Sequence, residues 1–189
     1  LLAQHPDVLK KLKAELAVNV ATDIPSLEEL ERLPYLDAVI KESMRILPAS
    51  SYSQRVAVEP TSLGPVRMNP GTPVIFSQYI THHRSDLYED PERFLPERWS
   101  SMKPSAYEYL PFGAGPRMCI GAPLAMAEIR TALTIMLKRF NFQIKPMSTV
   151  NGQVISTRKT SGQFFMETAT KMPTLPGQLQ PDLVTKTFM

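Results

Sequence analysis

Cys119 is the residue of this 189-residue chain whose surroundings best suit metal binding. It lies in a glycine-rich stretch, residues 111–121, whose three glycines let the backbone turn tightly and approach a flat partner closely. Cys119 directly precedes a predicted helix, and Arg117 stands two residues before it. The helix N-terminus and the guanidinium both favour a thiolate, which can bind iron and donate electron density to it. The alternative is that Cys119 is a small buried apolar residue, as many free cysteines are.

A second candidate group is a pair of opposite charges on one predicted helix, residues 35–46. Glu42 and Arg45 are three residues apart, so their side chains share a face of that helix. Taken alone, such a pair is usually an exposed salt bridge that contributes little.

Two adjacent histidines, His82 and His83, raise the possibility of a metal site. Residues 74–80 predict a strand that leads toward them, and neighbouring residues on a strand point to opposite faces. The pair is therefore not expected to bind one ion together.

The elements that would position these groups indicate an α+β fold that is mainly helical. Leucine spacing predicts a first helix over residues 7–16, and a capping box formed by Ser26 and Glu29 predicts a short second one. Residues 48–103 are rich in proline and predict short strands, a turn at residues 69–72 and an irregular meander at residues 90–99.

The longest predicted helix covers residues 121–140, with Pro123 in its first turn. We expect its apolar stripe to face the core. The stripe comprises Leu124, Ile129, Leu133, Met136, Leu137 and Phe140. After it, Phe142 and Ile144 suggest a strand, and residues 150–154 suggest a hairpin turn.

Composition excludes several classes of protein. Hydrophobic residues are 43% and charged residues 21% of the chain, as in a globular protein. The net charge of +3 is scattered, so a nucleic-acid partner is not expected. One cysteine cannot form an internal disulfide or a multi-cysteine zinc site. We find neither a run of ~20 apolar residues nor a signal peptide, and the chain is expected to begin in mid-domain.

The cysteine stretch fits the haem-binding pattern F-x-x-G-x-R-x-C-x-G and so resembles the cytochrome P450 family. Five fixed positions in this pattern match Phe112, Gly115, Arg117, Cys119 and Gly121.

Two further motifs strengthen this resemblance. Glu42 and Arg45 fit the family's E-x-x-R, and residues 96–99 resemble its P-E-R-F/W. In the family these motifs form a Glu-Arg-Arg triad, which implies Glu42, Arg45 and Arg98 here. Residues 91–94 mimic the same tetrapeptide. We choose Arg98 because Asp90-Pro91 and Phe94 fit the upstream part of D-P-x-x-F-x-P-E-R.

The resemblance implies a site for haem b (iron protoporphyrin IX) with Cys119 as the iron ligand. Arg55 and Arg117 would pair with the haem propionates, since the arginine fork matches a carboxylate. The remaining implied roles belong to small or apolar residues. Ala49, Ser50 and Ser51 would border the substrate, and Phe112, Gly113, Gly121 and Ala125 would adjoin the haem. Arg55 could instead be an ordinary exposed arginine, and Phe112 and Ala125 could simply fill the core.

The implied activity is that of a monooxygenase that inserts one atom of O2 into an apolar small molecule. Electrons from NAD(P)H would arrive through a reductase or a ferredoxin. The alternatives are a haem-thiolate isomerase or dehydratase, which needs no electron donor, and a non-catalytic remnant. Location would be cytoplasmic in a bacterium and at the endoplasmic reticulum membrane in a eukaryote.

The resemblance also implies that residues 1–189 are the C-terminal haem-binding part of a cytochrome P450 domain, with residues 146–189 matching poorly. We find no A/G-G-x-D/E-T motif, the mark of the family's oxygen-activating helix. We therefore expect a fragment that is inactive alone.

Overall fold

The computed structural model describes residues 1–144 and 164–168, which form helices and small antiparallel sheets. This confirms the predicted α+β, mainly helical class. The α-helices are α1 (Pro6–Asn19), α2 (Leu27–Glu31), α3 (Pro34–Ile46), α4 (Gln78–His82) and α5 (Ala122–Arg139). The strands are β1 (Ser53–Val56), β2 (Thr61–Leu63), β3 (Val66–Met68), β4 (Pro73–Phe76), β5 (Phe140–Ile144) and β6 (Phe164–Thr168). Short 3-10 helices cover Leu2–Gln4, Pro96–Ser100 and Gly115–Arg117.

The apolar core lies where α1, α3 and α5 meet. Its fully or almost fully buried side chains include Leu12, Leu16, Leu36, Val39, Ile40 and Leu137. Two polar contacts link these helices. The Glu15 carboxylate of α1 accepts 2.8 Å hydrogen bonds from the first-turn amides of Tyr35 and Leu36, and thereby caps α3. Arg130 of α5 donates to Asp37 of α3 at 2.8 Å.

The short helix α2 begins as its sequence predicts. The Ser26 hydroxyl accepts from the Glu29 amide at 3.2 Å, and the Glu29 carboxylate accepts from the Ser26 amide at 2.8 Å. Each side chain therefore satisfies a backbone donor of the other residue, which confirms the capping box.

The proline-rich region contains two small sheets. Strand β1 pairs antiparallel with β4, and β2 pairs antiparallel with β3. The predicted turn at residues 69–72 is confirmed by a 3.1 Å bond from the Thr72 amide to the Asn69 carbonyl. Gly71 takes a φ of 85° there, a conformation that a side chain would strain.

The strand predicted over residues 74–80 is wrong beyond Phe76. The Ser77 hydroxyl accepts from the Ile80 amide at 3.1 Å and caps α4. His82 is consequently the last residue of a helix and His83 follows it, so the argument from strand geometry does not apply to them. The meander also contains a 3-10 helix, Pro96–Ser100, where no regular element is predicted.

Helix α5 matches its prediction in position but not in its buried face. Leu137 is buried, and Leu133 and Met126 pack partly against the core. Leu124 is 65% exposed, and Ile129 and Met136 also lie at the surface. The predicted stripe spans more than one side of the helix, and only one side meets α1 and α3.

The predicted strand at Phe142 and Ile144 is confirmed as β5, which pairs with β6. The hairpin turn predicted at residues 150–154 lies outside the described residues. Within the described part of the chain, no helix is long and apolar enough to cross a membrane.

Candidate active site

Glu42 and Arg45 form a fully buried ion pair on α3. The Arg45 Nε and Nη2 atoms donate to the two Glu42 carboxylate oxygens at 3.0 and 2.9 Å. Both side chains have no solvent-exposed surface. A buried charge is tolerated only where its hydrogen-bonding groups find partners. This pair is therefore different in kind from the exposed salt bridge that its spacing alone would suggest.

The remaining Arg45 donors bind the backbone of two other segments. Nη1 donates to the carbonyls of His82 at 2.8 Å and Pro91 at 2.7 Å, and Nη2 donates to the carbonyl of Arg93 at 3.1 Å. With the two bonds to Glu42, each N–H of the guanidinium has an acceptor. Arg45 thus connects α3 with the end of α4 and with the meander.

The Glu42 carboxylate binds the meander from the other side. Arg98 Nε donates to it at 3.0 Å, Trp99 Nε1 at 2.9 Å and the Leu95 amide at 2.9 Å. Arg93 belongs to the similar tetrapeptide at residues 91–94. It pairs instead with Asp90 at the surface. The Trp99 contact was not foreseen, although an indole N–H close to a buried carboxylate is a natural donor.

The ionisation of Glu42 reflects these contacts. Burial acts to raise the pKa of Glu42, but the hydrogen bonds from Arg45 and Leu95 and the charges of Arg45 and Arg98 outweigh it. The pKa therefore lies below its ordinary value, and the carboxylate is ionised near neutral pH.

His82 is buried beside this network. Burial, together with the charge of Arg45, lowers the pKa of His82 to about 4, so the ring is neutral at physiological pH. Among the residues that the structure describes, no three His, Cys, Asp or Glu side chains are grouped to hold a metal ion. His83 binds the Tyr79 carbonyl through Nδ1 at 2.8 Å, and Arg84 pairs with Asp86 at the surface.

The cysteine loop, residues 111–121, is by contrast exposed over its second half. Cys119 is accessible to solvent, as are its neighbours from Gly115 to Ile120. Gly113 and Gly115 have φ values of 76° and 70°, which account for two of the glycines because a side chain there would be strained. A Cβ placed on Gly121 would lie 3.8 Å from the Cys119 sulfur, an ordinary contact. Helix α5 begins at Ala122, just beyond the loop.

A cavity of about 1000 Å³ joins this loop to β1 and α4. Its wall contains Cys119 and the two arginines 55 and 117, together with apolar and small side chains. The other lining residues are Ala49, Ser50, Ser53, Phe76, Ser77, Gln78, Thr81, Tyr107, Leu110, Pro111, Phe112, Gly113, Ala114 and Pro116. The cavity therefore combines one thiol, two guanidinium groups and a largely apolar surface.

The cavity brings together most of the residues predicted to adjoin a cofactor or substrate. It is lined by Cys119, Arg55, Arg117, Phe112, Gly113, Ala49 and Ser50. Ser51, Gly121 and Ala125 do not line it. The Ser51 carbonyl is engaged by the Tyr79 amide at 3.1 Å and by the Ser77 hydroxyl at 3.2 Å.

Several lining residues on β4 and α4 were not found from the sequence, among them Phe76 and Gln78. The prediction of one strand over residues 74–80 hid the grouping of Ser77 with Gln78, because adjacent side chains on a strand point to opposite faces. Ser77 as a helix cap was the signal that could have revealed α4. Gln78 is buried and donates to the Ser53 hydroxyl at 2.5 Å. This hydrogen bond links α4 to β1.

Comparison with known proteins identifies the family. The model of the family "Cytochrome P450" matches residues 1–166. The chain belongs to the cytochrome P450 family. The match ends within residues 146–189, the stretch that was expected to match poorly.

Individual relatives include enzymes from fungi, bacteria and mammals. The chain is 35% identical over 167 residues to cytochrome P450 monooxygenase pvhE of Talaromyces variabilis, covering 80% of this chain and 31% of that protein. It is 37% identical over 153 residues to cyclooctat-9-en-7-ol 5-monooxygenase of Streptomyces melanosporofaciens (79% and 33%). It is 36% identical over 146 residues to cytochrome P450 3A16 of Mus musculus (75% and 29%). The chain thus spans about a third of the length of these relatives.

The residues of the cavity fit the haem that membership of the P450 family implies. Haem has an iron that accepts a thiolate, two carboxylates and a broad apolar ring. The wall offers Cys119, the guanidinium groups of Arg55 and Arg117, and apolar residues such as Phe112 and Leu110. Each part of the cofactor therefore finds a chemically suitable partner around one cavity.

Proposed function

We propose that this chain forms the haem-thiolate part of a monooxygenase that acts on an apolar small molecule. The observation that carries the proposal is that Cys119, Arg55 and Arg117 line the same cavity. A thiol at the wall and two guanidinium groups beside it suit an iron porphyrin with two carboxylates better than they suit a free metal ion or an anion alone.

Each residue has a defined task in this proposal. Cys119 would bind the iron as thiolate, and Arg55 and Arg117 would hold the carboxylates and so orient the ring. When bound, the haem supplies oxygen activation and one-electron chemistry. Ala49 and Ser50 are small, which leaves room for a substrate, and Phe76 provides an apolar wall that helps to exclude water.

Redox partners and substrate belong to the whole protein and are proposed on the strength of its relatives. The proteins of T. variabilis and S. melanosporofaciens are named as monooxygenases. We propose that this protein likewise receives electrons derived from NAD(P)H through a reductase or ferredoxin and consumes O2.

Isotope labelling tests the reaction class. A protein of the relatives' length that contains this chain would be incubated with n-butylbenzene, NADPH, a reductase and dioxygen labelled with oxygen-18. A monooxygenase places one labelled atom in the product and the other in water. Product that carries no label and forms without the reductase would contradict the proposal.

We further propose that the 189 residues alone do not complete the reaction, because they span about a third of the length of the relatives. The same assay on the isolated chain is expected to give no product above a haem-only control. Sustained product formation that depends on the reductase would refute this part of the proposal.

A further inference from the structure

His82 connects the buried Glu42–Arg45 network to the cysteine loop through both nitrogens of its ring. Nε2 lies 2.7 Å from the Leu110 amide nitrogen, and Nδ1 lies 3.2 Å from the Arg45 carbonyl oxygen. A backbone N–H can only donate, so Nε2 must be the unprotonated acceptor. The proton therefore resides on Nδ1, which donates to Arg45. One neutral tautomer satisfies both contacts.

On one side, the histidine is held by the E-x-x-R arginine. The Arg45 Nη1 atom donates to the His82 carbonyl at 2.8 Å, while the His82 ring donates to the Arg45 carbonyl. The two residues thus bind each other's backbone. Because Arg45 is itself fixed by Glu42, the imidazole has a defined position in the core.

On the other side, Leu110 begins a short series of backbone hydrogen bonds that ends at the cysteine. The Leu110 carbonyl accepts from the Gly113 amide at 3.1 Å, and the Phe112 carbonyl accepts from the Cys119 amide at 2.9 Å. Leu110, Phe112 and Cys119 all line the cavity. The position of the Leu110 peptide group therefore helps to determine the position of Cys119.

We propose that His82 is a positioning residue, which transmits the rigidity of the Glu42–Arg45 network to the cysteine loop by accepting the Leu110 hydrogen bond. Its consequence for haem ligation rests on the function proposed above. The competing explanation is that the ring only fills space, since it stacks on Tyr109 with centroids 5.5 Å apart and meets Tyr88 edge-on.

Two matched variants separate positioning from packing. In His82→Gln the side-chain oxygen reaches the place of Nε2 and accepts from Leu110, whereas in His82→Asn the shorter amide reaches only the place of Nδ1. Both replace the buried ring with an amide. Tyr88→Phe is the control, because it removes another buried bond to the same segment, the one from the Tyr88 hydroxyl to the Glu108 carbonyl.

The measurement is hydrogen exchange of the Leu110, Gly113 and Cys119 amides in the haem-free chain. We expect His82→Asn to accelerate their exchange about ten-fold or more, the effect of losing a hydrogen bond to a buried group. His82→Gln and Tyr88→Phe should stay within about three-fold of the wild type, well below that loss. Equal acceleration in both histidine variants, or none in either, would overturn the proposal.

A measurement on the unmodified chain keeps the proposal testable even if a variant does not fold. The imidazole nitrogen-15 shifts report the tautomer, and we expect a protonated Nδ1 and a bare Nε2 coupled to the Leu110 amide. A protonated Nε2 would exclude the Leu110 bond and the proposal with it.

Haem ligation gives a third readout, and it separates failure of this proposal from failure of the proposed function. In protein produced with a haem precursor, His82→Asn should show a smaller thiolate-ligated fraction than His82→Gln in carbon monoxide difference spectra. Equal thiolate-ligated fractions in the two variants would contradict the positioning role of His82 but not the proposed function. A wild-type chain without haem would contradict the proposed function, and the exchange and tautomer results would still decide the role of His82.

Discussion

Two of the regions marked by family motifs are built in opposite ways. The Glu42–Arg45 pair is fully buried, and its charged groups are bound by the protein itself. The cysteine loop is exposed over Gly115 to Ile120 and lines the cavity with Cys119 and Arg117. We propose a division of labour in which the first region stabilises the fold and the second binds the haem. Substitutions in the two regions should therefore affect different properties.

The largest expected effect is on the buried pair. Glu42→Ala would leave Arg45 as an uncompensated buried charge, and we expect the free energy of unfolding to fall by about 3–5 kcal/mol. Arg93→Ala is the matched control, because it removes an arginine of the meander that pairs only at the surface, with an expected loss of about 0–1 kcal/mol. Urea unfolding followed by circular dichroism measures both. Equal losses would erase the contrast between the buried and exposed ion pairs.

The next largest effect is a loss of stability in acid, which we expect from His82. The pKa of His82 is about 4 in the folded chain, below its ordinary value of 6.5, so the unfolded chain binds more protons between these pH values. Stability should therefore fall as the pH drops from 6.5 towards 4, by up to about 3 kcal/mol. The charged neighbours, Arg45 and His83, both act in this direction.

His82→Gln provides the control for this pH dependence. It has no titrating ring, so its stability should stay nearly flat between pH 6.5 and about 5.5. Below that range the unfolded chain begins to protonate the carboxylates of Glu42 and Asp37, whose pKa values are lowered in the folded chain, and both proteins lose stability. A wild-type loss between pH 6.5 and about 5.5 that survives in His82→Gln would show that another group is responsible.

The smallest effect on stability is expected at the cavity arginines. Arg55→Gln and Arg117→Gln change exposed side chains, so the haem-free chain should change by less than about 0.5 kcal/mol. Haem affinity should nevertheless fall roughly ten-fold for each, because a charge-assisted bond to a carboxylate is lost. Titration with haemin measures this affinity, and unchanged affinity in both variants would remove the arginines from the cofactor site.

The sequence predicted best what depends on local rules or on fixed motif spacing. The capping box of Ser26 and Glu29 and helix α3 follow from short-range patterns, and the cysteine loop follows from five spaced residues. The strand predicted through residues 74–80 failed because Ser77 caps a helix whose formation depends on contacts with β1 and the buried network. Both hydrogen bonds of the His82 ring are tertiary contacts. Their partners lie 37 and 28 positions away in the sequence, so no local pattern contains them.

The buried face of α5 could not be predicted for a similar reason. Apolar residues occupy several sides of this helix, and which side packs depends on where α1 and α3 lie. Leu124 and Leu137 are equally apolar in the sequence, yet one is exposed and the other is buried.

The most direct test of the account is the spectrum of the reduced, carbon monoxide-bound protein with and without the sulfur. Wild-type protein produced with a haem precursor should show the strongly red-shifted Soret band of thiolate ligation, and Cys119→Ser should lose that band while its circular dichroism is unchanged. If the wild type lacks the band, or Cys119→Ser retains it, Cys119 is not the ligand of the haem iron.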